Sequence, residues 1–122
     1  MGPFAEGWTI EEAEAVLARD EPGELLYVPI VAGMNAPDCG REWAESVCFR
    51  LAGHPDFNVR ANSILGIAHI ARTCGNLNTE DAIPIVADAL NDSHEYVRGI
   101  AADVADDLKM YLDLNIARKK SV

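Results

Sequence analysis

Basic side chains are scarce: the 122 residues hold ten Lys and Arg against twenty Asp and Glu, for a formal net charge of −10. Such a chain repels phosphate backbones and anionic lipid heads, so neither nucleic acid nor a membrane surface is an expected partner. No apolar stretch approaches the roughly 20 residues of a membrane-spanning helix. The opening Met1-Gly2-Pro3-Phe4-Ala5-Glu6 lacks a basic segment backed by an apolar run. Glu6 also stands where a myristoylation signal carries Ser or Thr, and a cytoplasmic protein is expected. Cysteine is limited to Cys39, Cys48 and Cys74, without a C-x-x-C spacing. These three are expected to be small buried hydrophobes in a reducing compartment. His54, His69 and His94 are scattered, with no pair three or four residues apart as a helical metal site uses. Glycine-rich phosphate loops and nucleophile elbows are missing, and Ser63 and Ser93 have no evident His-Asp relay. No catalytic residue, metal or cofactor is therefore expected.

What the chain does hold is apolar residues, 49% of the total. That is enough for one folded domain over residues 1–122 without metals or disulfides. Thr9-Ile10-Glu11-Glu12 has the form of a capping box, with Ala13, Val16 and Leu17 as the apolar stripe of a first helix ending near Arg19. Asp20-Glu21-Pro22-Gly23 reads as a turn. Leu25 to Ala32 fits a short buried helix or a strand; helical neighbours favour the helix, and Pro29 suits one only in its first turn. Gly33 to Gly40 is expected to be a loop. A third helix spans about Cys39 to Ala52, with Trp43, Val47, Cys48 and Leu51 on one face. Asp56 caps a fourth, to about Thr73, which is apolar nearly all round and must be central. Thr79 is expected to cap a fifth helix, which Pro84 kinks or delays. Asn91-Asp92-Ser93 caps a long sixth helix bearing Val97, Ile100, Ala101, Val104, Leu108 and Leu112.

The later helices repeat. His54-Pro55-Asp56-Phe57-Asn58-Val59-Arg60 stands thirty-eight residues before Asp92-Ser93-His94-Glu95-Tyr96-Val97-Arg98. Each segment joins an amphipathic helix to a turn, then Val-Arg, then a small-residue-rich helix. This resembles the HEAT repeat, and the period suits helix-pair units of about 40 residues. The resemblance implies an all-α fold, a short right-handed α-solenoid of about three helix pairs. A degenerate leading repeat would occupy about 9–34, full repeats 39–73 and 79–112, and a basic tail (Arg118, Lys119, Lys120) 118–122. It also implies that Arg60 and Arg98 reach carboxylates or helix ends near the turns and are structural. HEAT-type di-iron hydroxylases carry His-Glu pairs within several inner helices, whereas His94-Glu95 is a single pair at a helix start. HEAT-like DNA glycosylases have a basic groove, which this composition opposes.

The sharpest polar feature is on the last helix. Tyr96, Asp103, Asp106, Asp107, Met110 and Asp113 fall opposite its apolar stripe at offsets near 3, 4 and 7. Carboxylates crowded toward a helix C-terminus repel each other and oppose the macrodipole, so stability alone does not favour them. A basic partner would offset both penalties, with Tyr96 and Met110 as apolar anchors. The competing readings are a solvated face and a divalent-cation site. A second acidic cluster, Glu11, Glu12, Glu14, Asp20, Glu21 and Glu24, surrounds the first helix. These features point to an acidic protein-binding module for a basic protein. By size, acidity and solenoid form the chain is similar to small HEAT-like immunity proteins of bacterial contact-dependent growth-inhibition systems. That resemblance implies a cytoplasmic inhibitor of a cognate toxin domain, a nuclease with a basic groove, with no catalysis of its own. A general scaffold binding a basic peptide along the inner helices is the alternative in the same class, and a HEAT-type enzyme or subunit the alternative outside it. The exposed sides of the first and last repeats, where a longer solenoid would continue, are open to self-pairing.

Overall fold

The structure, a computed structural model, describes residues 7–116; the expected basic tail and the opening Met1–Glu6 lie outside them. Eight helices and no strand are found among the described residues: α1 (Ile10–Arg19), α2 (Pro22–Leu25), α3 (Val28–Met34), α4 (Ala36–Cys39), α5 (Arg41–Leu51), α6 (Phe57–Cys74), α7 (Thr79–Ala89) and α8 (Glu95–Leu112). None of these is long and apolar enough to cross a membrane.

Local chemistry sets most of the boundaries. Thr9 caps α1, its hydroxyl accepting from the Glu12 amide and donating to the Glu12 carboxylate. A cap of this kind stabilises a helix by about 1 kcal/mol. Asp56 caps α6 by accepting from the Asn58 and Val59 amides. Four expectations need correction. Pro22 and Gly23 open α2 and do not form a turn, since a proline in the first turn lacks only a donor that would be unpaired anyway. Proline does the same in α3, where Pro29 lies in the first turn, and in α4, where Pro37 turns part of the expected 33–40 loop into helix. The cap of α7 is Asn78, which accepts from the Asp81 amide; Thr79 is already helical, and the helix runs through exposed Pro84. The cap of α8 is His94, whose Nδ1 accepts from the Tyr96 amide, and not the Asn91–Ser93 segment.

The central place of α6 is as expected: it packs against α3 and α8 on its flanks and against α5, and its interior positions are buried all round. The three helices of this layer run parallel. Asn62 near the start of α6 donates to the Leu26 carbonyl, and Thr73 near its end donates to the Gly33 carbonyl. On the other flank Phe57 stacks on His94 with ring centroids 3.7 Å apart, joining the starts of α6 and α8. α5 and α7 form the opposing layer; buried Glu45 of α5 accepts from the Asn78 amide at the start of α7. One hydrophobic cluster, from Leu17 to Leu108, fills the space between the layers.

The approach of α3 to α6 is backbone on backbone. A Cβ at Gly66 would lie 2.5 Å from the Pro29 carbonyl oxygen, and one at Gly33 would lie 2.5 Å from the Gly66 oxygen. Larger residues would force the helices apart.

The thirty-eight-residue register holds through whole helices. α6 and α8 are each 18 residues long. Their caps Asp56 and His94 correspond, and so do the left-handed residues that end them, Gly75 and Asp113. Arg60 donates to the His54 carbonyl, and Arg98 donates to the Asp92 carbonyl, its counterpart. Arg60 further grips both Asp92 carboxylate oxygens at 2.9 Å, tying one turn to the next. The earlier junction carries an analogous bridge of the opposite sense: His54 Nε2 lies 3.0 Å from Asp20 Oδ1, while His54 Nδ1 accepts from the Asp56 amide.

Candidate functional site

Helical geometry divides the six nominated residues into groups. The side of α6 that faces α3 is fixed by Asn62, Gly66 and Thr73, and its α5 side by buried Val59, Ser63 and Ile67. Between them and the α8 side a stripe of Asn58, Leu65, His69 and Arg72 remains exposed or half-buried. The register carries that stripe onto Tyr96, Asp103, Asp107 and Met110 of α8. These four share the open side of the α3–α6–α8 layer, facing away from α5 and α7. Tyr96 is 44% exposed and Met110 68%.

Asp106 and Asp113 lie elsewhere. On α6, Ala61, Ile64 and Ala68 form the buried side covered by α8. Their counterparts on α8 are Gly99, Ala102 and Asp106, and all three are exposed because no described helix follows α8. Asp106 therefore marks the free end of the helix layer. Asp113 is not on the helix at all. It adopts a left-handed conformation (φ 55°), and its amide closes the last turn on the Leu108 and Lys109 carbonyls. Periodicity alone could not show that the helix stops one residue earlier.

None of Asp103, Asp106, Asp107 and Asp113 forms an ion pair with another described residue. The basic residues are largely committed elsewhere: Arg19 to Glu24, Arg60 to Asp92, and Arg41 beside Glu45. Half-buried Asp107 does act on His69 across the α6–α8 junction. Burial lowers the His69 pKa, the Arg72 guanidinium lowers it further, and the Asp107 carboxylate opposes both. Arg72 donates to His69 Nδ1 at 3.1 Å, which keeps this pair on the α6 side of the face.

The α6 contribution is not evident from a helix that is apolar nearly all round and a histidine with no partner at helical spacing. Also missing was α3, whose Tyr27 and Met34, one heptad apart, are 62% and 48% exposed. The signal was available as the thirty-eight-residue register, once extended from the turns into the helices. Two of the three cysteines behave as small hydrophobes: burial pushes the Cys39 thiol up to about 11 and raises that of Cys48 as well. Cys74 departs from expectation, being only half-buried at the end of α6. No cluster of three or more His, Cys, Asp or Glu among the described residues is arranged to hold a metal ion. No protein-family model, curated protein or solved structure matches the chain.

Proposed function

We propose that this chain is an acidic protein-binding module, built as a short right-handed HEAT-like α-solenoid, which captures a basic protein. The solenoid reading is supported by the parallel course of α3, α6 and α8, the shared register of α6 and α8, and the equivalent reach of Arg60 and Arg98 to the turn six residues back. The binding reading rests on one observation. Asp103 and Asp106 stand exposed on α8 with exposed Met110, with no ion pair to any described residue. Folding gains no ion pair from them, and with Asp107 they crowd like charges three and four residues apart, which is destabilising. Docking a cationic surface removes that cost and adds attraction, and steering by net charge raises association rates toward ~10⁸ M⁻¹s⁻¹ at low salt.

Within this class the proposed role is that of a cytoplasmic immunity protein, with a basic toxin domain as the partner. Carboxylates on a rigid helix can occupy a groove that otherwise holds phosphates. The test is affinity capture from the source cells at about 50 mM and about 500 mM salt, which changes the screening length several-fold. The expected result is a basic protein that wild type retains at low salt and that Asp103→Asn/Asp106→Asn fails to retain. Its expression alone should arrest growth, and co-expression of the wild-type chain should relieve the arrest. Capture that is insensitive to salt and to both substitutions refutes the binding mode; a captured partner that is harmless refutes the immunity role.

A further inference from the structure

We infer that the basic partner docks on the open side of the α3–α6–α8 layer through an amphipathic helical segment whose cationic edge lies over α8. The inference rests on the proposed function and adds the surface, the partner's form and its orientation. Two aligned stripes mark this side. Leu65 is its apolar entry from α6, and Tyr96, Asp103, Asp107 and Met110 come from α8.

The composition of the stripes is that of an interface core. Tyrosine and methionine are enriched at such cores, with methionine supplying a surface that adapts to its partner. Tyr96 and Met110 expose large apolar areas that the fold leaves uncovered. The charges are distributed unequally. Asp103 and Asp107 line the α8 edge, while the Arg72–His69 pair holds the α6 position. A partner's Lys or Arg is therefore drawn to α8 and excluded from the centre, where Leu65 calls for an apolar side chain. Polarity along the face is also set. The parallel helices end at one edge, and α8 places Asp103 at its middle and Asp107 nearer that edge, so the charge lies between the middle of the face and the helix ends. Aromatic contact with Tyr96 dominates at the opposite edge, where the helices begin. A helix with one apolar stripe and one adjacent basic stripe meets all of these demands, as helix-in-groove recognition does generally.

The test uses a synthetic helical peptide of about 18 residues, with Leu along one face and Lys beside it, and a second peptide in which Glu replaces Lys. Each is titrated into the ¹⁵N-labelled chain at low salt while amide shifts are followed. The Lys peptide is expected to move the amides of Leu65, Tyr96, Asp103, Asp107 and Met110, and the Glu peptide to move none. Asp103→Asn/Asp107→Asn should weaken binding about tenfold with helicity unchanged, consistent with two exposed charge contacts. Glu11→Gln/Glu42→Gln should leave it unchanged. Shifts confined to α1 and α5 overturn the assignment of this face and leave the acidic-module reading standing. Binding of the Glu peptide equal to that of the Lys peptide overturns the charge argument. No binding of the Lys peptide overturns both readings.

Discussion

Alanine in place of Gly66 tests the packing of the helix layer most directly. In an ordinary helix interior this change is stabilising by up to about 1 kcal/mol, because alanine loses less backbone entropy on folding. Here the new methyl would lie 2.5 Å from the Pro29 carbonyl oxygen and 2.6 Å from Cys48 Sγ. Ordinary contact begins at 3.4 Å, so α3 must retreat by about 1 Å. Overpacking of this kind costs about 1–3 kcal/mol. The retreat also strains the Asn62–Leu26 and Thr73–Gly33 hydrogen bonds, each worth about 1 kcal/mol. After the propensity gain, a net loss of about 2 kcal/mol remains, or a fall of about 8 °C in Tm for a domain of this size. Gly99→Ala is the control. It places a methyl on the same kind of helix with nothing within 4 Å, and should raise Tm by a few degrees. Thermal and urea unfolding followed by circular dichroism measure both. A Gly66→Ala protein as stable as wild type, alongside a stabilised Gly99→Ala, would falsify the backbone contact between α3 and α6.

Two further outcomes follow from the turns and the free end. Arg60→Met removes both bonds to Asp92, whose side chain is 14% exposed, and should cost about 2–3 kcal/mol in urea unfolding by leaving a largely buried carboxylate without its cation. The Arg60 guanidinium, helped by the His94 amide, holds Asp92 below the usual carboxylate range. Its contribution is therefore complete above that range and lost as pH falls through it, so between about pH 5 and 2 wild type should lose stability faster than Asp92→Asn; parallel pH curves would remove the bridge from the account. Asp106→Leu gives the free end of the layer an apolar residue beside Gly99 and Ala102, matching the face that α6 buries. Sedimentation should show mass rising with concentration for this variant but not for wild type, since terminal repeats need polar outer faces.

The sequence located α6 and its Asp56 cap because a helix apolar on all sides has only one place to go. It also located the Val-Arg turns, whose chemistry is local. Caps were placed less well where several capping residues stand together: Asn78 took the role expected of Thr79, and His94 that of the Asn91-Asp92-Ser93 segment. Pro29 marks the start of α3 as expected, whereas Pro37 between Gly33 and Gly40 suits a loop as well as a helix start, and there the sequence favours the loop over α4. Gly33 and Gly66 gave no warning of their contact, because the partner of each is far away in sequence. The candidate face was half legible. Periodicity found Tyr96, Asp103, Asp107 and Met110 but could not separate them from Asp106, as a helix does not announce which of its sides another helix will cover.

The two bridges between turns differ in sense, and the difference fixes which turn can follow which. Where Arg60 meets Asp92, Asp20 meets His54 at the preceding junction, and His54 and Asp92 are register counterparts. Duplicating the middle unit would set the Arg60 guanidinium against a second His54 whose facing nitrogen is itself a donor. Excising that unit would bring Asp20 against Asp92, two carboxylates with no proton to share at neutral pH. Neither splice reproduces a native joint, so each of these two turns is matched to the turn it meets.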